Sequence, residues 1–302
     1  MANLKNINLL AILGPTASGK SALAIKIAQT IDAEIFSLDS LSIYKEINIA
    51  SAKPKESQLM SIKHYGINEL DITEPNNAMV FRNFLDLAIK KTSKKTLLIT
   101  GGSSFYLKSI IEGLSPVPTL CESQKQNIHK QINALKSPYD FLKQIDVCYA
   151  ENIKSKDTYR IHKALEIYFA THTPPSLYFA THPKQPFMHP IKLYGIVCDR
   201  QKLRETIKHR TQTMLQEGII EEIAGLIQKY PKNSQPFKAI GPKECISYLE
   251  GNITQEALEN LIFIHTTQLA KRQNTFNKTQ FQDITLSSKE EIFNAILNLE
   301  QI

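Results

Sequence analysis

The stretch Gly14-Pro15-Thr16-Ala17-Ser18-Gly19-Lys20-Ser21 leaves this chain little freedom in how it folds. Two glycines separated by four residues, then Lys and a hydroxyl side chain, satisfy the phosphate-loop pattern. Before it, Asn8-Leu9-Leu10-Ala11-Ile12-Leu13 is short and apolar enough for a buried parallel strand, and after it Ala22 to Ala28 has helical composition. In that setting Gly14 and Gly19 let the backbone turn its amides inward, and the helix N-terminus adds positive potential toward an anion. Lys20 supplies a point charge, and the Ser21 hydroxyl can reach a magnesium ion. The stretch predicts a polyphosphate or nucleotide site of the ATP-binding type without saying which polyphosphate.

The rest of the chain extends this start into an α/β fold. Glu34-Ile35-Phe36-Ser37-Leu38 reads as a second strand ending at Asp39-Ser40, where an open sheet presents side chains to its ligand crevice; a turn or N-cap role for Asp39 is the plainer alternative. Residues 77–91 read as an amphipathic helix. Thr96 to Thr100 reads as another buried strand, running into Gly101-Gly102-Ser103-Ser104, where the glycine pair permits close approach of a ligand or of the first loop. From Thr119 to Pro186 strand signals vanish, with Pro116 and Pro118 marking the entry, which predicts an all-helical insertion. Within it Tyr168-Phe169-Ala170-Thr171-His172 recurs as Tyr178-Phe179-Ala180-Thr181-His182, and its histidines read as surface or capping groups. Ile191 to Cys198 returns to strand character, and residues 202–229 carry apolar positions at helical spacing with Arg200, Arg204 and Arg210 among them. Lys271-Arg272 and Lys278 stand beside Phe276, a combination suited to phosphate contact and stacking. The expected architecture is a P-loop NTPase-like open, mostly parallel sheet flanked by helices, built from residues 1–118 and 187–302, with 119–186 as the insertion domain.

Composition narrows the function classes. Lys and Arg outnumber Asp and Glu 36 to 29 in 302 residues, a net charge of +7 that is compatible with a polyanionic partner. Cys121, Cys148, Cys198 and Cys245 form no CxxC pair, which argues against a zinc site or a disulfide framework. No stretch reaches membrane-spanning length, so the expectation is a soluble, cytoplasmic monomer with no membrane partner. On the residues alone three readings stay open: a nucleoside or small-metabolite kinase, a transferase that uses a diphosphate, and a non-catalytic RNA-binding or nucleotide-sensing module. A kinase ordinarily needs an acid at the end of a second apolar strand, and Thr96 to Thr100 ends without one.

Taken together, ordered strings from about Asn8 to Lys278 resemble the tRNA dimethylallyltransferase (isopentenyltransferase) family. They are the phosphate loop; Asp39-Ser40 followed by Ile43-Tyr44-Lys45; Ala52-Lys53-Pro54; Phe81-Arg82; Gly101 to Tyr106; Arg160 with Ala164-Leu165-Glu166; Ala239-Ile240-Gly241; and Gln268 to Gln273. The resemblance implies transfer of a dimethylallyl group from dimethylallyl diphosphate to the exocyclic amine of the adenosine on the 3′ side of the anticodon, with Mg2+ as cofactor and the tRNA anticodon arm as partner. It implies Asp39 as the base, Thr16 and Lys20 as its catalytic companions, and Gly14, Pro15, Thr16, Ala17, Ser18, Gly19, Lys20, Ser21 and Arg210 as the diphosphate site, with Ser21 on the metal. The implied tRNA contacts are Asp39, Ser40, Leu41, Ser42, Ser103 and Lys125; Tyr159, Arg160, Ile161, His162 and Lys163; and Lys238, Ala239, Ile240, Gly241, Pro242 and Lys243. Departures from the family pattern are Lys156-Asp157-Thr158-Tyr159-Arg160, Gly241-Pro242-Lys243, Thr206 in place of an arginine, and Phe276 in place of a tryptophan. Either Arg204 compensates for Thr206 or the diphosphate is gripped less firmly.

Overall fold

Short apolar runs become strands buried on both faces, as a parallel sheet requires. The computed structural model describes residues 7–300, so residues 1–6 and 301–302 of the predicted core lie outside the described residues. In chain order the first part contains β1 (Asn8–Leu13), α1 (Lys20–Ile31), β2 (Glu34–Ser37), α2 (Glu56–Ser61), β3 (His64–Tyr65), α3 (Ala78–Lys91), β4 (Thr96–Thr100) and α4 (Ser104–Glu112). Five helices follow: α5 (Glu122–Asn133), α6 (Pro138–Ile145), α7 (Val147–Glu151), α8 (Thr158–Thr171) and α9 (Pro175–Thr181). The chain then continues through β5 (Ile191–Ile196), α10 (Arg200–Gln216), α11 (Ile219–Lys229), α12 (Pro242–Leu249), α13 (Gln255–Gln280), β6 (Ile284–Ser287) and α14 (Lys289–Glu300).

The six strands of the described residues form one parallel sheet in the order β3-β2-β4-β1-β5-β6. Parallel pairing aligns the carboxyl ends of β1, β2, β4 and β5, so the loops that follow them gather at one edge, where open α/β sheets bind ligands. On one face Leu10, Ile12, Ile35, Leu98, Tyr194 and Ile196 meet Leu23 and Ile27 of α1 and Ile292 and Ile296 of α14. Each such side chain contributes roughly 1.5–3 kcal/mol on leaving water. This core fixes α1, and with it the phosphate loop, against the sheet. The predicted helical run over 202–229 divides in two at Gly218, whose φ of 94° ends α10 and opens α11.

The chain separates into two compact units, one containing the sheet and the other running from Glu112 to Phe187. The helical unit takes in Pro116 and Pro118, because Leu114 bridges to Gln185 and the Tyr178 hydroxyl donates to the Pro116 carbonyl. It has its own core: Ile128 and Ile132 of α5, Leu142 of α6, Ala150 of α7, and Ile161, Ala164 and Leu165 of α8. The duplicated pentapeptide forms the last turns of α8 and α9, with His172 and His182 as C-caps whose amides donate to the carbonyls of Tyr168 and Tyr178. No helix among the described residues is long and apolar enough to cross a membrane.

Candidate active site

The phosphate loop leaves β1 and enters α1 with the dihedrals its glycines permit. Gly19 takes φ 81°, and a Cβ on Gly14 would stand 2.7 Å from the Ser18 hydroxyl. Ala17 is held at φ 63°, a left-handed conformation that costs an L-residue roughly 1–2 kcal/mol. No side chain caps α1, so its first amides carry no side-chain acceptor among the described residues. Lys20 is buried and its ammonium donates to the Pro15 carbonyl at 3.3 Å. Burial pulls its pKa down to about 8, against an opposing pull from Asp39, while Arg210 nearby lowers it further.

Asp39 follows β2 and serves both roles that the sequence allows. Its Oδ1 accepts the amides of Leu41 and Ser42 at 3.0 and 3.2 Å, a side-chain turn that fixes the carboxylate. Its Oδ2 takes neither bond and points toward Gly102, where an added Cβ would lie 3.4 Å from it. Behind it the hydroxyls of Ser37 and Ser42 meet at 3.1 Å. The glycine pair brings backbone against backbone, as expected, but the partner of Gly101 is the carbonyl of Leu38 after β2, which any Cβ would overlap; it is not the phosphate loop.

A cleft of about 380 Å³ joins these parts. Thr16, Lys20, Ser21, Asp39, Ser40, Leu41, Ser42, Ser103, Arg210, Lys238, Ala239 and Ile240 all line it. Arg210, part-buried on α10, is attracted by Asp39, while burial lowers its pKa. Gly14, Pro15, Ala17, Ser18 and Gly19 shape the loop without lining the cleft. Ser18 Oγ is buried and meets no partner among the described residues.

Other predicted residues lie elsewhere. Gly241 and Pro242 are buried, the first with φ 97° and its amide donating to Glu244 at 2.7 Å, the second opening α12; only Lys243 of that trio is exposed. A proline suits that first helical position, which is the physical sense of the Gly-Pro-Lys departure. Side-chain contact between Ile161 and RNA is excluded by its place in the helical unit's core, at 3 % exposure. Lys125, Arg160 and Lys163 are exposed, and each pairs with an acid on its own helix or cap, Glu122, Asp157 and Glu166 respectively. Tyr159 is exposed and His162 half-buried. Arg204 stands outside the cleft lining, its guanidinium 4.8 Å over the Phe263 ring, and the Thr206 hydroxyl donates to the Lys202 carbonyl of its own helix.

Two features escaped sequence reasoning. Gln273 of α13 accepts the Thr16 amide at 2.7 Å through Oε1 and donates to the Gly102 carbonyl at 2.9 Å through Nε2, so one side chain spans the phosphate loop and the glycine loop. The segment 45–55, part of which lines the cleft, is tied down by Glu222 of α11, which accepts the successive amides of Asn48, Ile49 and Ala50 at 2.7, 2.8 and 2.9 Å. Lys53 closes the same segment by donating to the carbonyls of Tyr44 and Lys45 and to the side chains of Asn48 and Asn68. Gln273 stands within a quoted family string, which was the available signal; nothing near Asn48 in sequence announces Glu222.

The cleft thus places a carboxylate oxygen beside the glycine-flanked loop, with Lys20, Arg210 and Lys238 in its lining. The family model described as IPP transferase matches residues 42–280. The chain belongs to the IPP transferase family. Among relatives in that family, the tRNA dimethylallyltransferase of Helicobacter pylori strain J99 is 56% identical over 289 residues, covering 96% of this chain and 93% of the relative. The one from Wolinella succinogenes is 44% identical over 293 residues, covering 96% and 98%. A solved tRNA isopentenylpyrophosphate transferase from Staphylococcus epidermidis shares the fold, with a TM-score of 0.69 at 27% identity, covering 98% of this chain and 99% of that one.

Proposed function

We propose that this chain transfers the dimethylallyl group of dimethylallyl diphosphate to the exocyclic amine of the adenosine 3′-adjacent to the anticodon in tRNA, releasing diphosphate. The observation that carries the reading is the meeting of Asp39, Thr16, Lys20 and Arg210 in one cleft. The bond between the allylic carbon and the diphosphate oxygen breaks, its electron pair leaving on oxygen, and the amine nitrogen forms the new bond to carbon. Lys20, Arg210 and the loop amides stabilise the departing anion. The amine proton passes to Asp39 Oδ2, which the turn at Leu41 and Ser42 holds in place. Thr16, positioned through its amide by Gln273, orients the diphosphate.

The donors near the loop suit a magnesium ion that arrives with its substrate. Among the described residues no group of three or more His, Cys, Asp or Glu side chains could hold a metal, whereas Ser21 presents a hydroxyl to the cleft. Mg2+ keeps waters and binds readily through phosphate oxygens, so Ser21 would hold it and the ion would supply positive charge to the leaving group.

A target base in a folded RNA loop must be extruded to reach Asp39. Ser40, Leu41, Ser42, Ser103 and Lys238 to Ile240 line the cleft where it would sit, and Tyr159, Arg160 and Lys163 on the helical unit are proposed RNA contacts. The protein is proposed to act on tRNA as a monomer in the cytoplasm. The kinase reading is weakened where it needs an acid: β4, beside the phosphate-loop strand, ends in Thr100, whose hydroxyl donates to the Ile12 carbonyl. Incubation with unmodified tRNA, Mg2+ and labelled dimethylallyl diphosphate tests the proposal. Label on the adenosine beside the anticodon is expected; phosphate transfer from ATP to a small molecule, with no label on tRNA, would overturn it.

A further inference from the structure

Two stripes of side chains part company along α13. Ile262, Thr266, Leu269 and Gln273 recur at helical spacing and line the cleft. Lys271, Arg272, Thr275 and Phe276 lie round the helix from the first stripe, by roughly 50° at Phe276 to roughly 170° at Lys271, and line a shallow groove of their own. Lys271 and Arg272 are exposed, neither has an ion pair among the described residues, and no acidic side chain lines the groove. Phe276 meets the ring of Phe105 edge-on at 6.2 Å, and Phe281 braces it from another side at 6.1 Å. Phe105 itself is 62% exposed, although it stands in the first turn of α4, directly after the glycine loop that lines the cleft.

We propose that Phe105, Phe276, Lys271 and Arg272 form a subsite for the nucleotide adjoining the one in the cleft. Its base stacks on the open face of Phe105, Phe276 holds that ring, and its phosphate lies against the two unpaired cations. This rests on the reading of the chain as a tRNA prenyltransferase, because a target base in the cleft must carry its neighbours with it. A protein partner is the competing occupant of an exposed ring. Two free cations without an accompanying acid favour phosphate, and the glycine loop makes the surface continuous with the cleft.

Affinity for unmodified tRNA, measured over a range of salt concentrations in the full chain, tests the subsite. Phe105→Ala is expected to weaken binding about tenfold and Phe105→Trp to restore it, as stacking requires. Lys271→Gln with Arg272→Gln should make the slope of log affinity against log salt shallower by about one. In all three variants the KM for dimethylallyl diphosphate stays within about twofold of the parent. Label transfer by the unaltered protein tests the underlying reading separately. With that transfer intact, an unchanged tRNA affinity in Phe105→Ala, or an unchanged slope in the double variant, overturns the subsite. So does a Phe105→Ala effect confined to the concentration dependence of sedimentation, which would assign the surface to protein contact.

Discussion

Two loops at the carboxyl edge of the sheet use the same device, successive backbone amides turned toward an anion, to opposite ends. In the segment around Asn48, Ile49 and Ala50 the anion is internal: the Glu222 carboxylate accepts all three amides. In the phosphate loop Gln273 takes the Thr16 amide and Pro15 the Ser18 amide, but no side chain caps α1, and it is the amides opening that helix that are proposed to meet an anion from outside. The first arrangement sets one wall of the cleft and the second leaves it able to bind. The difference lies in whether the chain supplies its own carboxylate. A filled nest is architecture, and an open nest is a site.

The sharpest way to break this comparison is to disable the open nest. Lys20→Met removes the buried ammonium proposed to face the diphosphate, and transfer should fall about 10²–10³-fold, the scale seen when one preorganised group at a developing charge is lost. Steady-state kinetics with labelled dimethylallyl diphosphate would read the loss. At the filled nest, Glu222→Ala leaves three amides without their acceptor and should lower stability by about 1.5–3 kcal/mol. Denaturant titration would measure this, and an unchanged midpoint would show that the carboxylate holds nothing.

Acidity distinguishes the open nest further. Because burial brings Lys20 down to about 8, the free protein loses this cation as pH rises through that value, and the KM for dimethylallyl diphosphate should climb with a limiting slope of about tenfold per pH unit. Below that pH the ammonium is intact and the KM should be flat. Lys20→Arg keeps its charge throughout and should abolish the rise. The smallest effect belongs to the link between loops: Gln273→Leu frees the Thr16 amide and the Gly102 carbonyl and should raise the KM about tenfold or less, with tRNA affinity unchanged in filter binding.

What the sequence discloses follows the same division. The strand, loop and helix around Lys20 are legible because the residue types that shape them are contiguous in sequence, even though Gln273 and the sheet core hold them from afar, and Asp39 is legible because a strand end predicts where it points. The β4 run and the helix over 78–91 are equally plain, the latter capped by Asn77 through the amides of Met79 and Val80. Less legible is β6, a four-residue edge strand with no fully buried position and so no alternation to read. The two-residue β3 is shorter than any pattern. Glu222 and Gln273 act across 172 to 174 and 171 to 257 positions of sequence, and their partners are backbone groups that carry no residue signature. Ile161 shows the limit of a resemblance: it carries the whole run from Tyr159 to Lys163 over as RNA contacts, whereas helical periodicity turns the Ile161 side chain into the core.

The central claim is that the carboxylate of Asp39, fixed by its own turn and facing the cleft, takes the proton while the open nest holds the diphosphate. It is tested most directly by measuring single-turnover transfer and tRNA affinity side by side in Asp39→Ala. The account predicts transfer lower by at least about 10²-fold with tRNA affinity within a few-fold of the parent. Equal losses of transfer and binding would contradict it, because Asp39 would then be holding the RNA rather than acting on it.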